Sequence, residues 1–340
     1  MSKKNKSIHV KLIANPGAGN TSEADNNLKL VTGYLEKNGL KVDVALAKPK
    51  EKATPIARRA VKNGYRTVIA MGGDGTIEAV MRGLTGSKVH LGIIPAGTEN
   101  NIALSLGIST DLEEACALIV SDKTSKLDLG QIKTKNGKKF NFFELATVGL
   151  SAAIYPDANK AANGKLSHIK NSALTLMHQE TKPKVFLSMN GESKISVETM
   201  LVMVSNTATF GKNFRVAPKA SLQDGLLDIS VYPDFSKVEL LGYYAAVMNE
   251  GYSGDGKVQQ YQARKLKINA SPKQDVMADG VALGKGKVKI KVLPGALRVI
   301  TGMNESVLAT PKKGKAKVQP EPAAPAIGKN HSEESVILLG

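Results

Sequence analysis

An N-terminal doubly wound parallel-sheet α/β domain followed by a mostly antiparallel β-sandwich domain is the fold the sequence predicts. Three observations carry that prediction. Short Val-, Ile- and Leu-rich runs alternate with helix-periodic stretches over about the first 120 residues. From about Ser125 onward strand-like runs follow one another with turn signals between them, and after Gly302 the apolar content falls away.

The first domain, residues 1–125, reads in order as HVKLIANP, NNLKLVTGYLEKNG, KVDVALA, TPIARRAVKNG, RTVIAMGG, TIEAVMRGL, VHLGIIPAG and DLEEACALIVS. The odd members are short, β-branched and end in Gly or Pro, as buried strands do. The even members repeat apolar residues at three and four, and two of them stop at Asn38-Gly39 and Asn63-Gly64. Strand and helix in strict succession predict a parallel sheet wrapped by helices.

The second domain, residues 126–302, reads as KLDLGQIKT, KKFNFFELATVGL, KVFLSMNG, KISVETMLVMVSN, LLDISVYP, RKLKINA and KVKIKVLPGALRVI, with turns at Lys135-Asn136-Gly137 and Asn190-Gly191-Glu192. Only 166–180 and 236–250 look helical. Leu166, Ile169, Leu174 and Met177 of the former share a helical face, which reads as ordinary surface-helix packing or as a lid over an apolar pocket. Residues 303–340 are rich in Lys, Pro and Ala and read as a disordered tail.

Composition narrows the function classes. With Cys116 as the only cysteine, neither a disulfide framework nor a metal-thiolate cluster forms, and a reducing cytoplasmic setting is expected. No cleavable leader and no run of about 18 apolar residues is found. The net charge of +17 calls for an anionic partner. A nucleic-acid reader is disfavoured, because the chain has no tryptophan and only 4% aromatic residues. The five histidines lack ligand spacing, so zinc is not expected.

Chemistry concentrates in three turns at strand ends. In AMGGDGT, Gly72, Gly73 and Gly75 allow backbone N–H groups to approach an oxygen-rich ligand at a helix N-terminus, and Thr76 offers a hydroxyl. Asp74 beside a phosphate requires an intervening cation, which points to Mg²⁺; the plain alternative is a tight turn with Asp74 as N-cap. NPGAGN brings Asn15 and PAGTENN brings Gly97, Thr98, Asn100 and Asn101 to the same sheet edge. Neither GxxxxGK[ST] nor GxGxxG is present, which argues against a P-loop NTPase or a dinucleotide dehydrogenase.

NPGAG, GGDGT and GTENN, in that order and spacing, together with KLDLGQI, FELATVGL, SNTATFGKNFRVAPKASLQDGLLDI and MADGV, resemble the diacylglycerol-kinase catalytic-domain family of lipid kinases over residues 8–302. The resemblance implies an ATP-dependent kinase that transfers the γ-phosphate to the hydroxyl of a lipid alcohol in an interdomain cleft. By the same resemblance Asn15, Gly72 to Thr76 and Thr98 hold the ATP phosphates and Mg²⁺, and Gly97 and Asn101 belong to that cradle. Asp128 falls in the polar network between the domains and among the metal-linked carboxylates. Asp279 is the expected general base. Asp224 resembles a structural-metal position, with a turn aspartate as the alternative. A homodimer is compatible with the family.

Three departures stand out. Asn101 replaces an aspartate of the metal-water network, Ala79 replaces a glutamate after GGDGT, and Val281 stands where the family pattern DGE has its second carboxylate. They motivate an alternative, a catalytically silent ATP- or lipid-binding relative. A kinase of a soluble acceptor, as in NAD kinases, is a further alternative. Finally, Lys287, Lys289 and Lys291 alternate with apolar residues, as do Lys265 and Lys267. Were these strands neighbours, five lysines would share a face, either merely solvated or meeting an anionic membrane surface to which the protein binds peripherally.

Overall fold

A computed structural model of the chain describes residues 8–17, 23–47, 52–150, 182–191, 193–210, 215–233, 235–240, 242–243 and 256–302. The helix expected at 166–180, most of that at 236–250, and the tail lie outside the described residues; residues 237–240 are helical.

The first half contains β1 (Ile8–Ala14), α1 (Ala24–Lys37), β2 (Leu40–Leu46), α2 (Ala53–Lys62), β3 (Thr67–Gly72), α3 (Asp74–Leu84), β4 (His90–Pro95), α4 (Asn101–Ser105) and α5 (Leu112–Ser121). All of β3 is buried, as its continuous TVIAMG run demands of a central strand covered on both faces. The parallel order is β4-β3-β1-β2. The chain steps outward from β1 to β2 and then back past β1 to β3, so with right-handed crossovers α1 covers one face and α2 and α3 the other. Contacts between α1 and α5 and between α2 and α3 agree with that arrangement. The Asp111 carboxylate starts α5 by accepting the N–H groups of Glu113 and Glu114, both at 2.9 Å.

The second half adds β5 (Thr124–Thr134), β6 (Lys139–Phe142), β7 (Leu145–Gly149), β8 (Lys184–Met189), β9 (Ser193–Ser205), β10 (Leu227–Pro233), β11 (Gln259–Ala263), β12 (Lys265–Ser271), β13 (Asp275–Ala278), β14 (Val281–Lys285) and β15 (Val288–Ile300). These strands pair antiparallel in two layers. One is β6-β5-β15-β12-β8 with the first half of β9; the other is β14-β13-β7 with the second half of β9, then β10 and β11. Between them lie the inward residues of both, Val185, Leu187, Ile268 and Ile290 facing Val202, Val204, Ile229 and Val276.

Two strands belong to both halves. The end of β15 pairs parallel with β4 at Arg298 and Val299, while its beginning pairs with β12; β5 runs beside it throughout, with a register shift between Leu293 and Leu297. The sheet therefore continues across the boundary expected at residue 125. KKFNFFELATVGL, which reads as one run, is two strands broken at Phe143 and Glu144. The break has a cause in the site itself.

Candidate active site

The crevice where strand order reverses lies between the carboxyl ends of β1 and β3, the usual ligand position in such sheets. There the Asn15 N–H donates to the Met71 carbonyl at 3.1 Å, and the Asn15 amide Nδ2 donates to Thr76 Oγ1 at 3.1 Å. A cavity of about 220 Å³ opens at this edge, lined among others by Asn15, Pro16, Glu23, Asp25, Leu46 and Gly97. Sequence reasoning missed Glu23 and Asp25. They precede and open α1 on an exposed turn, without a glycine to mark them.

The GGDGT and GTENN turns are locked together. A Cβ on Gly97 would collide with the Gly73 backbone, so glycine is required there by close approach. Asn100, at φ 55°, accepts the Gly97 N–H at 2.9 Å and donates to the Gly97 carbonyl at 3.0 Å. Asp74 does not cap its own helix, whose N-cap is Gly73. Its carboxylate instead accepts the N–H groups of Asn101 at 3.1 Å and Ile102 at 2.9 Å, holding the start of α4. Gly75 and Thr98 are exposed at the rim, and Gly72 is buried beneath.

The fit of Mg²⁺ to this cradle is tested by its lone pairs. Each Asp74 oxygen accepts one backbone donor and retains a second lone pair. Beside it, Asn101 Oδ1 is buried without a hydrogen-bond partner. Two oxygen donors of this kind, supplemented by phosphate and water, match the sparse protein ligation Mg²⁺ takes in phosphoryl-transfer sites. Around Asp128 and Asp224 the outcome differs. Asp128 spends one oxygen on the Gly225 N–H and the other on the Gly295 N–H, both at 2.7 Å, tying the irregular part of β15 to the turn before β10. Asp224 Oδ1 takes the Leu226 N–H at 2.9 Å, a local turn. Burial raises both carboxyls above their ordinary values. Among the described residues no three His, Cys, Asp or Glu side chains gather into a metal cluster, and both carboxylates accept backbone N–H groups here.

Asp279 sits at φ 41° between β13 and β14 and is buried. Its Oδ2 accepts the Phe143 N–H at 2.6 Å, and its Oδ1 accepts those of Glu144 and Leu145, each at 3.1 Å. The carboxylate thus takes the backbone donors of the gap between β6 and β7, which is why that run breaks. Burial raises its carboxyl pKa, opposed by the three N–H donors and by Arg82.

Arg82 comes from α3, the helix that GGDGT begins. It pairs with Glu78 at 3.1 Å, one turn earlier, and stacks over Phe140 at 5.1 Å from the ring centroid. Burial first, and then the neighbouring Asp279 carboxylate, push the Glu78 carboxyl well above its ordinary value, with Glu144 adding to the effect. Glu78 and Arg82 were not among the residues singled out from sequence. Their i,i+4 spacing on an otherwise apolar helix was the available signal. Val281 is 38% exposed and supplies no carboxylate, whereas the Glu78 carboxyl lies within electrostatic reach of Asp279.

Comparison with known proteins agrees with this geometry. Residues 9–132 match the family model described as "Diacylglycerol kinase catalytic domain", and residues 145–301 match "YegS C-terminal NAD kinase beta sandwich-like domain". A protein named diacylglycerol kinase from Mycobacterium tuberculosis is 28% identical over 270 residues, covering 78% of this chain and 86% of its own. One named "Probable lipid kinase YegS" from Salmonella gallinarum is 29% identical over 288 residues, covering 82% and 93%. In fold, the chain resembles the crystal structure of a diacylglycerol kinase from Bacillus anthracis, with TM-score 0.67, 22% identity and coverage of 88% and 98%. The two domain matches in succession, over a parallel cradle and a β-sandwich, establish that the chain belongs to the diacylglycerol kinase and YegS-like family of lipid kinases.

Proposed function

We propose that the protein phosphorylates the hydroxyl of a membrane lipid alcohol with Mg-ATP, in the cleft between the α/β half and the β-sandwich, while bound peripherally to an anionic membrane surface. One observation carries this reading. Helix α3 begins in the phosphate cradle and, one and two turns on, presents Glu78 and Arg82 to Asp279, so a residue of the last hairpin meets the nucleotide half.

The residues divide the work. Asn15, the Gly72–Thr76 turn, Gly97 and Thr98 seat the phosphates; Asp74 and Asn101 would hold Mg²⁺, which supplies charge neutralisation at the transferring phosphoryl group. Asp279 is the base. Three of its four lone-pair sites are filled by backbone donors, two on Oδ1 and one on Oδ2, which leaves Oδ2 to take a proton. As the acceptor oxygen bonds to the γ-phosphorus and the bond to the β-γ bridging oxygen breaks, ADP leaves and the hydroxyl proton passes to that Oδ2.

The test is incubation of the protein with Mg²⁺ and γ-labelled ATP over diacylglycerol, a sphingoid base, phosphatidylglycerol, a polyprenol and NAD. Label in an extractable lipid, lost in Asp74→Ala and Asp279→Asn, is expected. Label in NAD alone, or in no acceptor while ATP still binds, overturns the reading.

A further inference from the structure

We infer that the outward face of the β6-β5-β15-β12-β8 layer is a cationic platform that docks on the anionic headgroups of a bilayer, with Phe186 inserted between them. This rests on the lipid-kinase reading above and specifies how such an enzyme would reach its substrate. The register shows more than a set of alternating lysines. Reading directly across the strands from β6 to β9, the partners are Lys139, Lys133, Lys289, Lys267, Ser188 and Lys194. All five lysines are exposed, and six strands at about 4.8 Å spacing make the row about 24 Å wide. A second row sets Lys291 opposite Lys265. On the same face Phe186, between Asn269 and Ser196, is 43% exposed in a chain with few aromatics.

Four of these cross-strand pairs are lysine directly opposite lysine: 133 with 139, 133 with 289, 267 with 289, and 265 with 291. Like charges in that position destabilise a sheet. The ion pairs among the described residues lie elsewhere, at Arg66–Asp122, Arg82–Glu78, His90–Asp122, Lys257–Glu239 and Lys285–Asp275. At these register positions Glu198, opposite Lys184, is the carboxylate found. A merely solvated face would relieve such repulsion by mixing signs. An anionic layer relieves it all at once, and one exposed aromatic among lysines, in a chain with few aromatics to stack on bases, fits a headgroup surface better than a nucleic acid. Docking and fold stability are therefore opposed on this face until the membrane is bound.

The experiment uses the full chain with vesicles of phosphatidylcholine alone, vesicles with phosphatidylglycerol added, and duplex DNA. Lys265→Glu with Lys267→Glu puts carboxylates opposite Lys291 and Lys289. At about fivefold per unit of charge near the surface, this double variant loses on the order of a hundredfold or more in affinity for the anionic vesicles. It is also expected to unfold at a higher denaturant midpoint in low salt than the native chain, and to phosphorylate acceptor in neutral detergent micelles at the native rate. Phe186→Ser weakens vesicle binding by the same factor at every salt concentration. Unchanged vesicle binding by the double variant, equal binding to neutral vesicles, or preference for DNA overturns the platform. Vesicle binding through this face without lipid phosphorylation supports the platform and overturns the kinase reading instead; micellar lipid kinase activity without vesicle binding overturns the platform alone.

Discussion

The two halves of the site are built in opposite ways. The proposed phosphate cradle is backbone brought close by glycine, with side chains such as Asp74 and Asn100 serving the turns that flank it. The proposed acceptor half is one carboxylate, Asp279, reaching 134 to 136 residues back along the chain to fill a gap between strands, and balanced by charges from a third element. A cradle of the first kind does not tolerate added volume. The second tolerates neither loss of charge nor loss of acceptors.

Substitution at Asp279 breaks the second kind most severely. Asp279→Asn replaces one acceptor oxygen by a donor facing backbone N–H groups. Loss of the base is expected to slow turnover by about 10²–10⁴-fold. Each charge-assisted hydrogen bond lost costs about 1.5–3 kcal/mol, so the denaturation midpoint falls as well. Native stability in this variant would show that the three N–H contacts do not hold the β6–β7 gap. Gly97→Ala tests the cradle. The new methyl meets the Gly73 backbone, so overpacking costs about 1–3 kcal/mol and ATP affinity falls, while Asp279 is untouched. Calorimetric titration with ATP that matches the native protein would refute close approach as the reason for glycine at this position.

That contrast explains what could be read from the sequence. Glycine turns at strand ends are local patterns, so the convergence of Asn15, Gly72 to Thr76 and Gly97 on one sheet edge was legible, as were β1 to β4 and the helices α1, α2, α3 and α5. The short α4 was not, because its start depends on a carboxylate 27 residues away. Nor was the break at Phe143 and Glu144, since no glycine or proline marks it and the donors exposed there are taken by Asp279, 134 to 136 residues away. Glu78 escaped because the family pattern directed attention to Ala79. On the helix the neighbouring position faces Asp279 and buries its carboxylate, a fact of packing and not of spelling. The lysine face was legible as alternation, but the direct opposition of its lysines needed the register.

Glu78→Gln produces the smallest effect and probes where the two halves meet. In the folded protein the Glu78 carboxyl is held above its ordinary value by burial and by Asp279, so ionising it is disfavoured. The folded state then binds more protons than the unfolded one between the unfolded pKa and the folded one. Stability is complete below the former, near 4.5, and declines as pH rises through the latter. Glutamine removes that decline. The variant should match the native protein at pH 4 and gain on it as pH rises above about 4.5, as read from urea midpoints. The Asp279 charge is part of what keeps Glu78 protonated, so in an Asp279→Asn background the gain from Glu78→Gln should shrink. A residue that only packs against Arg82 would give the same gain in both backgrounds. That difference, more than the size of either gain, decides whether α3 couples to Asp279 electrostatically.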